Sequence, residues 1–242
     1  MLFHFAVFTA GLVAGFLNVL AGGGSLLTLP ILIFLGLPVA VANGTNRFGI
    51  FVQNLAAVGS FRQQGYSDFR TGMAFGVTTV PGAIAGAWLA IRVDETTFRA
   101  ILAGVLVLAV VGLLVPARRG APPTMWARAF AFVAFLFIGF FGGFIQAGVG
   151  FLLMLVLHQL LGLDLVRTNM QKVLIVLVFS LPALAVFVAT GNVEWTTAGV
   201  LAVGNALGAV AATRVAVRGG ERPIRIVVAL ALVLMAVRLV SA

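Results

Sequence analysis

From Leu2 to Val41 the chain carries no aspartate, glutamate, lysine or arginine. No soluble fold buries such a run on every side, whereas a bilayer asks for about 20 apolar residues per helical crossing and accepts it directly. The remainder obeys the same rule. Of 242 residues, 62% are hydrophobic and 9% charged, where a soluble domain carries about 25% charged residues. The expected class is therefore an all-α polytopic membrane protein. The apolar pattern continues without a basic leading region, so no cleavable signal is expected. Cysteine is absent from the sequence, which excludes disulfides and thiolate chemistry. The net charge of +9 comes mostly from arginines at segment ends. There they set orientation and meet anionic lipid head groups, so the bilayer is the expected partner and nucleic acid is not.

The first oily run is interrupted by Gly22-Gly23-Gly24. Each glycine weakens a helix by about 1 kcal/mol relative to alanine, so three in succession predict a break. Full-length apolar segments stand at about 41–61, 71–91, 97–116, 127–146, 166–189, 195–217 and 223–241. Leu26–Leu37 and Phe151–Leu163 are too short to cross upright at 1.5 Å per residue. These two short stretches correspond when the sequence is shifted by 126 residues. At that offset Gly36-Leu37 falls on Gly162-Leu163, Asn43 on Asn169 and Gly82-Ala83 on Gly208-Ala209. The Gly65–Phe69 turn falls on Gly191–Trp195, and Arg99 on Arg225. With a two-residue gap, Gly15–Asn18 matches Gly143–Gln146.

Self-similarity at one offset predicts an internal duplication. Repeat one is expected at 1–116 and repeat two at 129–242, joined by a cytoplasmic linker at 117–128. Each repeat reads as five segments with a glycine-broken short or re-entrant helix. The crossing number per repeat is then odd, which makes the two repeats inverted. Placing Arg118, Arg119 and Arg128 inside also brings Arg62, Arg70, Arg214, Arg218, Arg222 and Arg225 inside. Thr190–Thr196, with no lysine or arginine, falls outside, as do both termini. The loop holding Arg92 and Arg99 also falls outside and fits the charge rule least.

Two cations lie within apolar segments, Arg47 and Lys172, and no acid shares a segment with either. An intramembrane charge is expensive and usually lines a pathway, so an anionic ligand is the expected partner; the blander reading is that both side chains reach for the interface. Amide and hydroxyl donors cluster beside them at Asn43, Thr45, Asn46, Asn169 and Gln171, although such groups also tie helices together. Asn18 and Gln146 precede the two glycine breaks. Backbone N–H groups freed near Gly23, Gly24 and Gly150 would complete a cradle, because glycine lets the backbone come close to a ligand and a helix start favours anions. Paired glycine breaks are also the pattern of a transporter's binding site. His158 could relay a proton, but a packed histidine is the simpler reading. No nucleophile–base pair or nucleotide loop is present, so no enzyme is expected, and no cofactor or metal is implied.

Gly15–Pro30 (GFLNVLAGGGSLLTLP), the Gly36–Arg47 stretch (GLPVAVANGTNR) and the Gly65–Phe69 turn resemble the TauE/SafE family of sulfite and organosulfonate exporters. The resemblance runs over nearly the whole chain. The second half departs from the pattern where Asp164 replaces the proline and Met170-Gln171-Lys172 replaces the Gly-Thr pair. What the resemblance implies is an inner-membrane carrier that exports a small sulfur-containing anion, sulfite or a sulfonate such as sulfoacetate. The residues alone reach an anion and leave open an anion channel, a non-transporting scaffold subunit and homodimerisation.

Overall fold

The computed structural model describes residues 2–94, 96–98, 100–101, 125–228 and 230. Among them all regular structure is helical. In chain order the helices are α1 (Leu2–Leu20), α2 (Ser25–Phe34), α3 (Val39–Gln63), α4 (Arg70–Ala90), α5 (Met125–Phe144), α6 (Val149–Met154), α7 (Leu165–Ala189) and α8 (Trp195–Gly219). A π-helical stretch, Leu155–Leu160, continues α6. The segment expected at 97–116 lies almost wholly outside the described residues, as does much of that at 223–241. Of the linker expected at 117–128, residues 125–128 already belong to α5.

Among the described residues four helices are long and apolar enough to cross a membrane: α1, α4, α7 and α8. Helix α3 is as long as α7 but carries Asn43, Asn46, Arg47, Gln53 and Asn54, all buried. The bundle buries polar and charged side chains within its apolar core and exposes large apolar ones. Arg47, Lys172, Asn169 and Gln171 are buried, while Phe5, Val77, Trp88, Leu181 and Val203 are exposed. Water would punish that arrangement; a lipid solvent rewards it. The protein is a multi-pass membrane protein.

Small residues let the backbones close up. Added Cβ atoms at Gly204 and Gly208 would meet the carbonyls of Phe8 and Leu12 at 2.3 and 2.0 Å, so α1 and α8 run parallel. At Gly82 and Gly86 they would meet Leu136 and Phe140 carbonyls at 2.3 and 2.0 Å, so α4 and α5 also run parallel. Helices α3 and α7 run in opposite directions. The Thr45 hydroxyl accepts from Glu194 N–H at one end of the bundle, and Gln171 Nε2 donates to the Asp68 carbonyl at the other. At this second end lie Arg62 and Arg70, flanking the α3–α4 loop, and Arg214 and Arg218 in the last turns of α8. Capping sharpens the helix starts: Asp164 accepts from Arg167 N–H, and Glu194 accepts from Thr196 and Thr197 N–H.

The 126-residue offset recurs in the backbone. Val39–Gln63 maps onto Leu165–Ala189 residue for residue. Left-handed glycines recur at the same shift: Gly22 with Gly148, Gly36 with Gly162, Gly65 with Gly191.

Candidate functional site

Both breaks form where the glycines stand. Helix α1 ends at Leu20 and α2 begins at Ser25; α5 ends at Phe144 and α6 begins at Val149. The two breaks then meet. A Cβ on Gly22 would lie 2.4 Å from the carbonyl carbon of Gly150, and one on Gly150 would lie 2.2 Å from the Gly22 Cα. Only glycine permits backbones this close. Beside the contact is a small cavity lined by Asn18, Ser25, Asn54, Gln146, Lys172 and Gly150, with Val149 and Val176 as its apolar wall. Its volume, ≈ 10 Å³, holds about one water.

Of the residues expected at the site, the cavity gathers Asn18, Gln146, Gly150 and Lys172. Lys172 is the one charged side chain in that lining. Its ammonium donates to the Val19 carbonyl and to Asn169 Oδ1, both at 2.8 Å. An ammonium has three N–H donors, so one is left for the cavity. Asn18 donates to Gln53 Oε1 at 3.2 Å.

Arg47 is placed differently. Its terminal nitrogens donate to the carbonyls of Gly142 (2.9 Å) and Gly143 (2.7 Å), to Gln146 Oε1 (2.8 Å) and, at 3.5 Å, to Asn43 Oδ1. The Phe187 ring covers the guanidinium at 4.8 Å. Asn43 Nδ2 donates to the Phe144 carbonyl at 2.8 Å. Arg47 and Asn43 thus cap the end of α5, where carbonyls lack helical partners and the dipole is negative. Lys172 and Asn169 treat α1 in the same way, through the carbonyls of Val19 and Leu20. Each long helix therefore closes the broken helix of the other half of the chain.

The other candidates hold the bundle together. Thr45 ties α3 to the start of α8, and Gln171 ties α7 to the loop before α4. Asn46 Oδ1 accepts from Thr28 at 2.6 Å. Gly23 faces the Phe151 ring, and Gly24 packs against the Ala14 carbonyl. His158 Nδ1 donates to the Leu163 carbonyl at 2.7 Å, away from the cavity lining. Ser25 and Asn54 complete the polar lining, and both leave a signal in the sequence. Ser25 follows the triple glycine, and Asn54 continues the polar stripe two turns beyond Arg47.

The chain is 27% identical to a probable membrane transporter protein of Sinorhizobium sp. over 239 residues, covering 97% of this chain and 91% of the relative. A probable membrane transporter protein of Haemophilus influenzae is 26% identical, over 97% of this chain and 93% of that one. The probable membrane transporter protein YfcA of Escherichia coli is 28% identical, over 96% and 88%. No solved structure matches the chain significantly. The model of the sulfite exporter TauE/SafE family matches residues 7–239, taking in both glycine breaks, both capping cations and every residue of the cavity lining; the chain belongs to that family of membrane transporters.

Proposed function

We propose that the protein is a secondary carrier of the inner membrane that exports a small sulfur-containing anion, sulfite or an organosulfonate, by alternating access. The observation that carries this reading is the cavity where the two breaks meet. It is lined by one lysine with a free donor and by Asn18, Ser25, Asn54 and Gln146, and no carboxylate is in the lining. Such a lining offers an anion a positive charge and neutral donors, and offers a cation no carboxylate to neutralise it. The sulfur in the substrate rests on family membership. The opposed helix directions and the offset of 126 residues support two inverted five-segment repeats, each with a glycine-broken short or re-entrant helix. A space for one water is no open conduction path, which favours a carrier over a channel. A sulfite-sized ligand then requires one part of the bundle to move against the other.

The test is uptake of radiolabelled sulfite into inside-out vesicles, with Lys172→Gln alongside. Export in the cell appears there as accumulation. The parent should accumulate label above empty vesicles, and the variant should not. A folded parent that moves neither sulfite nor methanesulfonate would remove the carrier reading.

A further inference from the structure

Gln146 stands in the turn that ends α5, where its N–H donates to the Phe141 carbonyl, a place glycine usually fills. It is the one non-glycine residue with positive φ among the described residues, at 67°. A left-handed backbone costs a side-chain-bearing residue stability that glycine would not lose, and such strain concentrates at functional sites. The side chain is 4% exposed and lines the cavity. Its orientation is dictated by Arg47. A guanidinium can only donate, so the atom 2.8 Å from Arg47 is the oxygen, Oε1. The amide NH2 must then point the other way, where its nearest protein partner is Ser180 Oγ at a long 3.4 Å. Arg47 in turn cannot swing, being held on the Gly142 and Gly143 carbonyls.

We infer that Gln146 is a specificity-determining residue of the transport site: Arg47 locks its amide so that the NH2 group, held only loosely by Ser180, is the face offered to the ligand and the oxygen is not. Arg47 acts through Gln146 and leaves direct charge contact to Lys172. The locked amide donor selects an oxyanion and disfavours a ligand that must itself donate. This rests on the anion-carrier reading above.

Gln146→Glu tests it. The carboxylate gives Arg47 an ionic partner, so the variant should fold with a melting temperature equal to or above the parent's. It also offers the cavity no donor, and sulfite affinity, measured by calorimetry on purified protein, should fall by at least about tenfold. A Gln146→Glu protein that binds sulfite as the parent does overturns the inference. Because the new carboxylate also repels an anion, the discriminating variant is Gln146→Met, which removes the donors at nearly constant volume without adding charge; the same loss there supports the inference and parental affinity overturns it. A folded parent that binds neither sulfite nor methanesulfonate removes the carrier reading, and the inference with it.

Discussion

Replacing Gly22 by alanine tests whether the meeting of the two breaks organises the molecule. Gly22 and Gly36 share nearly the same backbone conformation, φ +87° and +95°. Alanine in that region costs about 1–2 kcal/mol at either position. The surroundings differ. A Cβ at Gly36 meets nothing within 4 Å, whereas at Gly22 it lies 2.4, 2.5 and 2.8 Å from the Gly150 carbonyl carbon, the Gly150 Cα and the Phe151 nitrogen. These are backbone atoms and cannot rotate aside. Overpacking of that kind adds about 1–3 kcal/mol, so Gly22→Ala should cost about 2–5 kcal/mol and Gly36→Ala about 1–2. Chemical unfolding of both variants in one detergent measures the difference. Gly150→Ala carries only the overpacking component. Combined with Gly22→Ala, it should be less than additive, because either methyl already forces the same gap open. Equal destabilisation by Gly22→Ala and Gly36→Ala would refute the close approach and, with it, the placing of the cavity.

Other outcomes follow from the same geometry. Arg47→Ala should cost about 2–4 kcal/mol by leaving the Gly142 and Gly143 carbonyls without their charged donor; unfolding in detergent reads it, and a parental melting curve would show that Arg47 does not cap α5. The Glu194 carboxyl is held below its usual value of 4.5, chiefly by the hydrogen bond from Thr197. A depressed native pKa stabilises above the unfolded value and is lost as pH falls through the native one. Below about pH 4.5 the parent should therefore lose stability that Glu194→Gln does not, as melting temperatures against pH would show. The chain has no cysteine, so single cysteines report topology directly. Ser67→Cys should react with an impermeant maleimide from the cytoplasm and Thr190→Cys from outside; labelling of both from one side would refute the inverted arrangement.

Much of this was legible in the sequence because glycine and charge are local signals. The triple glycine announces the first break, and the offset of 126 residues locates the second and returns the limits of α3 and α7. The partners of the two cations were not legible. Arg47 and Gly142 are 95 residues apart, and Lys172 and Val19 are 153. A carbonyl also has no letter in the sequence, since every residue carries one. Reading Arg47 and Lys172 as equivalent ligand contacts was natural without those acceptors. With them, the two separate: Lys172 retains a donor toward the cavity, while Arg47 turns its donors on α5 and Gln146.

The two caps also explain how a break can survive in oil. An unwound turn leaves carbonyls that lipid cannot satisfy, at several kcal/mol each. Here every cation–amide pair that satisfies them comes from the opposite half of the chain: Asn43 and Arg47 on α5, Asn169 and Lys172 on α1. Neither broken helix is complete without the other half, so the halves cannot slide apart freely. Any motion that admits a ligand must either carry α3 with α5 and α7 with α1, or exchange a cap for a ligand. The second course is open at Lys172, which borders the cavity with its third donor free, whereas Arg47, whose acceptors are likewise neutral and whose Nε–H is also without a partner, stands outside the lining. On the anion-carrier reading, an anion arriving there would compete with the Val19 carbonyl for Lys172, so that occupancy of the site and the hold on α1 would be coupled through a single ammonium group.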